Sequence, residues 1–344
     1  MSEISILKYS EIPINIWSQK SNVLFHSKAW IEVLQKSYNI EFLLATDAHS
    51  EDFMIFGIID NPFNKKLVSI PFSDYAGEES LSVSTTLEII KEVQQKFPNY
   101  DIEFKSRFSA DLLENSKLLK KAFYHRIDLE NLNYHRILET QSSSFKRGVK
   151  KALKQNVVIN KGYTEADLKE FYKLYAHLRL EKFKIIPQPF SFFQNIFNLF
   201  FKEGKGFILK ASYENILIGS ILILEYNEGW YYKFGASHKD YLDKRPNNYL
   251  FNQLIQLGIK EKKKFIDLGM SGAGNNYEGL RRFKEEMGGK KYNISVLKYA
   301  HLESGNFKRK DTKVLSDITS LIVAQKPSAK KISSMSEFLY PFFA

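Results

Sequence analysis

Two stretches of the chain carry the same order of elements, and that repeat restricts the available folds more than any other feature. "FLLATDAHSEDFMIFGII" (42–59) and "FILKASYENILIGSILI" (207–223) each read as an apolar strand, a polar turn and a second apolar strand. The second strand of each holds a central glycine, Gly57 or Gly219. Helix and strand recur later in "LEIIKEVQQKFPNYDIEF" (87–104) and "LFNQLIQLGIKEKKKFIDL" (250–268). A repeat this long implies paired domains rather than a solenoid. With 344 residues, 44% of them hydrophobic, the chain can fill two cores.

The periodicities between these landmarks describe an α/β chain with mixed sheets. In the first half, Trp30, Val33, Leu34 and Tyr38 have helical spacing, as do Leu87, Ile90, Val93 and Phe97. "EFLLAT" and "DFMIFGII" form a strand pair around the turn "DAHSED". "KKLVSIPF" is a third strand, stopped by Pro71 and Gly77, and "YDIEFKS" and "YHRIDLE" follow as strands. In the second half, Thr164 and Asp167 have the spacing of a capping pair before a long helix. An apolar helix "PFSFFQNIFNLFF", three strands over 206–237, a helix after Pro246, a strand, a short helix and a final strand complete the order. The expected domains are 1–140 and 141–302, the second opened by a basic helix over 142–155 with a serine cap. Residues 303–344 form a tail with a short amphipathic helix.

The formal charge is +11 and the pI about 9.3. Such a chain is drawn to polyanions: nucleic acid, anionic lipid head groups or phosphorylated small molecules. There is no cysteine, which excludes disulfides, thiolate metal sites and a cysteine nucleophile. No leader pattern and no run of 18 apolar residues occur, so a cytoplasmic protein is expected. His177 and Glu181, four apart, are the one metal-like pair and suit an ordinary exposed helix face. "GMSGAG" lacks the Lys-Ser/Thr of a phosphate loop.

Three segments carry chemistry. "DLGMSGAGNNYEGLRRFKEEMGGKKYNISV" (267–296) sets Arg281, Arg282 and Lys284 around Phe283, beside a glycine-rich loop. "PFSDYAG" (71–77) joins Asp74 and Tyr75 to a glycine at a strand end. In 145–157, Lys146, Arg147, Lys150, Lys151 and Lys154 make one helix face almost wholly positive. A solvated interdomain helix would look the same.

The order strand, helices, three antiparallel strands, helix and further strands resembles a GNAT acyltransferase domain. Two in tandem resemble the Fem family, which builds peptide cross-bridges of bacterial cell walls. The resemblance spans most of 20–302 and rests on "LFHSKAW", "PFSDYAG", "FKRGVKKALKQNV", "DKRPNNYL", "FIDLGMSG" and "GLRRFKEEMGG". It implies an acyltransferase that moves an aminoacyl or acyl group onto an amine of a cell-envelope precursor or activated amino sugar, in peptidoglycan or surface-polysaccharide synthesis. Lys284 would steady the charge on the attacked carbonyl oxygen. Phe283, Arg282, Arg245 and Asn247 would hold the donor. Asp74 would orient or deprotonate the amine, with Tyr75, Arg147 and Arg179 on the acceptor side. No metal and no tightly bound cofactor are implied. The co-substrate is aminoacyl-tRNA or acyl-CoA. The partners implied are a small-molecule or lipid-linked envelope precursor and, for the tRNA donor, tRNA. Peripheral contact with anionic membrane is a further expectation. Between Ser237 and Leu257 there is no glycine, which disfavours an ordinary CoA pyrophosphate cradle. Two alternatives stand beside this reading: an acetyl-CoA-dependent N-acetyltransferase acting on a nucleotide-linked amino sugar, and a non-enzymatic protein that binds RNA or membrane through 146–154.

Overall fold

The structure is a computed structural model that describes residues 4–12, 23–47, 53–62, 64–75, 81–130, 133–299 and 311–344. Gly77, most of the "DAHSED" turn and residues 303–310 of the tail lie outside the described residues. The chain divides into two compact units. One comprises Met1–Phe123, Asn293–Ile318 and Glu337–Ala344; the other comprises Tyr124–Tyr292 and Thr319–Ser336.

The first half supplies β1 (Ile4–Lys8), α1 (Lys28–Tyr38), β2 (Glu41–Asp47), β3 (Phe53–Asn61), β4 (Asn64–Ser69), α2 (Val83–Lys96), β5 (Asp101–Ser106) and β6 (Ser116–Asp128). Then come α3 (Tyr134–Thr140), α4 (Ser143–Lys154), β7 (Val158–Gly162), α5 (Glu165–Glu181) and α6 (Phe190–Ile196), the last running into a π turn. They are followed by β8 (Gly206–Tyr213), β9 (Ile216–Tyr226), β10 (Gly229–Ser237), α7 (Pro246–Lys260), β11 (Phe265–Gly272), α8 (Glu278–Glu286) and β12 (Lys290–Tyr299). The tail holds α9 (Asp311–Ala324) and α10 (Ala329–Leu339).

Local chemistry sets the helix starts. Ser27 Oγ accepts the Trp30 N–H at 3.2 Å, Ser82 Oγ accepts that of Thr85 at 3.0 Å, and Ser142 Oγ accepts that of Phe145 at 3.0 Å. Thr164 and Asp167 form the expected reciprocal pair: the Asp167 N–H reaches Thr164 Oγ1 at 3.2 Å, and the Thr164 N–H reaches Asp167 Oδ2 at 2.9 Å. Behind these caps the apolar faces go inward, with Trp30, Val33, Leu34, Ile90 and Val93 fully buried. β1, α3 and α10 go beyond the sequence reading, since their short or polar stretches carry little periodic signal. β6 runs well upstream of "YHRIDLE", through a stretch that is mostly half-buried or exposed.

The two units follow one plan. In the first, β1, β2, β3 and β4 pair antiparallel in that order, β4 pairs parallel with β5, and β5 pairs antiparallel with β12. In the second, β7, β8, β9 and β10 are antiparallel neighbours, β10 pairs parallel with β11, and β6 lies beside β11. Each unit therefore takes its sixth strand from the other half of the sequence. The repeated glycines do the same job in both. A Cβ on Gly57 would lie 2.8 Å from the Pro71 ring, and one on Gly219 would lie 3.0 Å from Pro246. Each glycine lets a proline lie against its strand. Among the described residues no helix is long and apolar enough to cross a membrane.

Candidate active site

The parallel pairing of β10 with β11 is short. It covers Gly229 with Phe265, Trp230 with Ile266 and Tyr231 with Asp267. β10 then continues to Ser237, with a register shift against β9 between Tyr232 and Phe234. Asp267 accounts for the departure of β11. Its Oδ1, almost fully buried, accepts the Gly269 N–H at 2.6 Å. Gly269 has φ +74, a left-handed conformation that a β-branched strand residue would resist.

This turn delivers two carbonyls to α8. Lys284 Nζ donates to Gly269 O at 2.8 Å and to Met270 O at 3.1 Å, and the side chain is only 4% exposed. Burying an ammonium is tolerable where such acceptors replace water. The other members of "RRFK" point elsewhere. Arg281 donates to the carbonyls of Gly272 and Gly274, tying down the glycine-rich loop. The Phe283 ring packs on Phe251 and Phe145, with centroids at 5.7 and 6.1 Å. Arg282 is exposed, with Nε 3.9 Å from Glu286.

A cavity of about 400 Å³ is lined by α4, the start of α7 and α8. Arg147 and Lys151 of α4, Arg245 before α7 and Arg282 line it, together with Phe283, Asn248 and Glu286. Four cations face one carboxylate, so the cavity attracts anions such as phosphate. Arg245 caps α7 with φ 59 and ψ 41. The left-handed turn expected of a glycine is thus made by an arginine, at a cost of about 1 kcal/mol. Pro246 follows at the first helical position. Arg245→Gly is therefore expected to keep or slightly raise the melting temperature while weakening pyrophosphate binding about tenfold by calorimetry.

His125, on β6, is fully buried, and neither ring nitrogen has a hydrogen-bond partner. Glu285 Oε1 stands 3.6 Å from its Nε2. Burial first, then the Lys284 charge, lowers the imidazole to about 4. His26 in the first unit is lowered to about 4 by burial alone. The unfolded chain binds protons near pH 6.5, and the folded chain does not until near pH 4. Each histidine's contribution is therefore present above the unfolded value and lost as pH falls through the folded one, by up to about 3 kcal/mol. Thermal melts between pH 7.5 and 5 are expected to show falling stability, with a flatter slope in the His125→Gln and His26→Gln proteins.

Of the residues expected from sequence, the fold gathers Arg147, Arg245, Arg282 and Phe283 around one cavity. Lys284 points away from it, onto β11. Asn247 Oδ1 accepts from Ser237 Oγ at 2.6 Å, fastening the end of β10 to the start of α7. Arg179 lies in the last turn of α5, its guanidinium 5.9 Å from the Tyr175 ring. Asp74 and Tyr75 belong to the first unit, Asp74 half-buried and Tyr75 buried edge-on against Phe25 at 5.1 Å. The sequence reading names Lys151 only among the cations of the basic helix, not as a donor-binding residue, although it stands one turn after Arg147. His125 escaped it, since a lone histidine in a strand gives no signal.

Residues 141–285 match the acetyltransferase (GNAT) domain family. FemX is similar in structure at 12% identity and a TM-score of 0.63, over 92% of this chain and all (100%) of that one. The C-terminal domain of a candidate lysylphosphatidylglycerol synthetase from Agrobacterium fabrum is similar at 11% identity and a TM-score of 0.57, over 87% of this chain and 94% of that one. A tandem GNAT protein from the clavulanic acid biosynthesis pathway is similar at 7% identity and a TM-score of 0.51, over 88% of this chain and 100% of that one. No curated protein sequence matches the chain. The tandem GNAT-like fold implied by the resemblance is borne out, and the acetyltransferase domain match over 141–285 supports an acyltransferase.

Proposed function

We propose that the chain transfers an aminoacyl or acyl group from a phosphate-bearing donor to an amine on a cell-envelope precursor. One observation carries this reading: the buried Lys284 ammonium, held by two β11 carbonyls where β11 leaves β10. The donor's phosphates would rest on Arg147, Lys151, Arg245 and Arg282, and its acyl end would lie between the diverging strands. The amine nitrogen attacks the acyl carbon, and negative charge grows on the carbonyl oxygen. Lys284 would turn a proton toward that oxygen, a contact worth a few kcal/mol (about 3) in a site shielded from water. The carbon–oxygen or carbon–sulfur bond to the donor then breaks, and the leaving atom takes the proton the amine gives up. Holding the partners in place supplies much of the remaining acceleration.

The likeness to FemX and to a lysylphosphatidylglycerol synthetase supports an aminoacyl group. The domain match equally supports acyl-CoA. Thermal shift separates the donors: at 100 times its dissociation constant, a ligand of the folded state adds about 2.7 kcal/mol. Saturable stabilisation by acetyl-CoA, roughly halved on Arg245→Gly at the same ligand concentration, supports the N-acetyltransferase alternative. Stabilisation by aminoacyl-tRNA alone supports the Fem-like one, and no response to either refutes the donor assignment. On the acceptor side, Asp74 would orient the amine with help from Tyr75. Asp74→Asn is expected to raise the acceptor KM about tenfold with little change in donor affinity.

A further inference from the structure

A second, larger cavity of about 810 Å³ lies along α3, α4 and α7 of the second unit. Its wall is mostly apolar, from Leu138 on α3, Val149 and Leu153 on α4 and Tyr249 on α7, with the amides of Asn252, Gln253 and Gln256 along α7. Each helix gives it one stripe at turn-by-turn spacing. Leu153 is 50% exposed on a helix otherwise studded with cations. At the rim stand Lys146, Arg147 and Lys150. α4 contains no acidic residue, and among the described residues Arg147 and Lys150 enter no ion pair. Gln141, also lining the groove, is 3% exposed, and neither its amide oxygen nor its amide nitrogen has a hydrogen-bond partner. Buried amide groups in that state are rare.

We infer that this groove takes an acyl chain of an anionic phospholipid, whose phosphate rests on Arg147 and Lys150. The charge pattern selects this occupant. A polyanion such as RNA would use the rim and leave the apolar wall in water, whereas an uncharged lipid would leave the cations unused. A phospholipid uses both, and its ester carbonyl gives the Gln141 N–H the acceptor it lacks. The groove shares Arg147 with the donor cavity but not Lys150 or Leu153, so the test is read on those two residues.

Calorimetry of the full chain with dihexanoyl phosphatidic acid, below its micelle concentration, provides the test. Saturable binding is expected, weakened about tenfold by Leu153→Asp and by Lys150→Glu and unchanged in Lys284→Met. Leu153 is half exposed, so its variant should melt like the parent; if it does not fold, Lys150→Glu carries the test. Four results would overturn the inference: no saturable binding, equal binding of dihexanoyl phosphatidylcholine, phosphatidic acid binding insensitive to both substitutions, or a short RNA duplex displacing the lipid.

Discussion

Lys284→Met is expected to lower turnover by about two to three orders of magnitude, the usual loss when a donor to a developing oxyanion is removed. Methionine fills similar space and removes the charge. The substitution also strands the Gly269 and Met270 carbonyls that Nζ now satisfies. Leaving buried acceptors unpaired costs about 1–3 kcal/mol. The two effects separate cleanly. Turnover is measured well below the variant's melting temperature, and Gly269→Ala serves as the comparison. It disturbs the same turn but keeps the ammonium, so it should lose stability with a smaller loss of rate. Full turnover in a folded Lys284→Met protein would remove Lys284 from the chemistry.

Trp230→Ala should produce the largest loss of stability in the second unit. Trp230 is fully buried, packs edge-on against Phe207 at 4.8 Å, and donates its indole N–H to Glu225 at 2.9 Å. It also sits in the middle of the short β10–β11 ladder, opposite Ile266. Truncating a core tryptophan costs about 3–5 kcal/mol, against a total stability of about 5–15 kcal/mol for a domain. Urea unfolding followed by circular dichroism, rather than by tryptophan emission, gives the difference without losing the probe. Trp230→Phe keeps much of the packing and loses the hydrogen bond, so it should fall in between. A loss below about 1 kcal/mol would mean that the ladder is held by other contacts.

The twin plan was visible in the sequence because it is written in local patterns. Apolar strands around Gly57 and Gly219, serine caps and the Thr164–Asp167 pair all act over a few residues. The crossing of β6 and β12 between the units was not visible, since nothing local tells a strand which sheet to join. The site divides in the same way. The cations of "RRFK" could be read, but not their separate destinations: Arg281 to the loop, Arg282 to the cavity and Lys284 to β11. Those depend on contacts between 7 and 15 residues apart, set by the Asp267–Gly269 turn. The missing glycine after Ser237 argued against a phosphate cradle. Arg245 takes up the left-handed turn itself, placing a guanidinium where the pattern would have put bare backbone. Local propensity could not foresee that exchange of strain for charge.

A crystal structure with an unreactive donor analogue, a ketone in place of the ester or thioester, would test the central claim most directly. The analogue's carbonyl oxygen is expected about 2.7–3.1 Å from Lys284 Nζ, with its phosphates against Arg245 and Arg282. An analogue bound with its carbonyl beyond reach of Lys284, outside the fork of β10 and β11, would contradict the account.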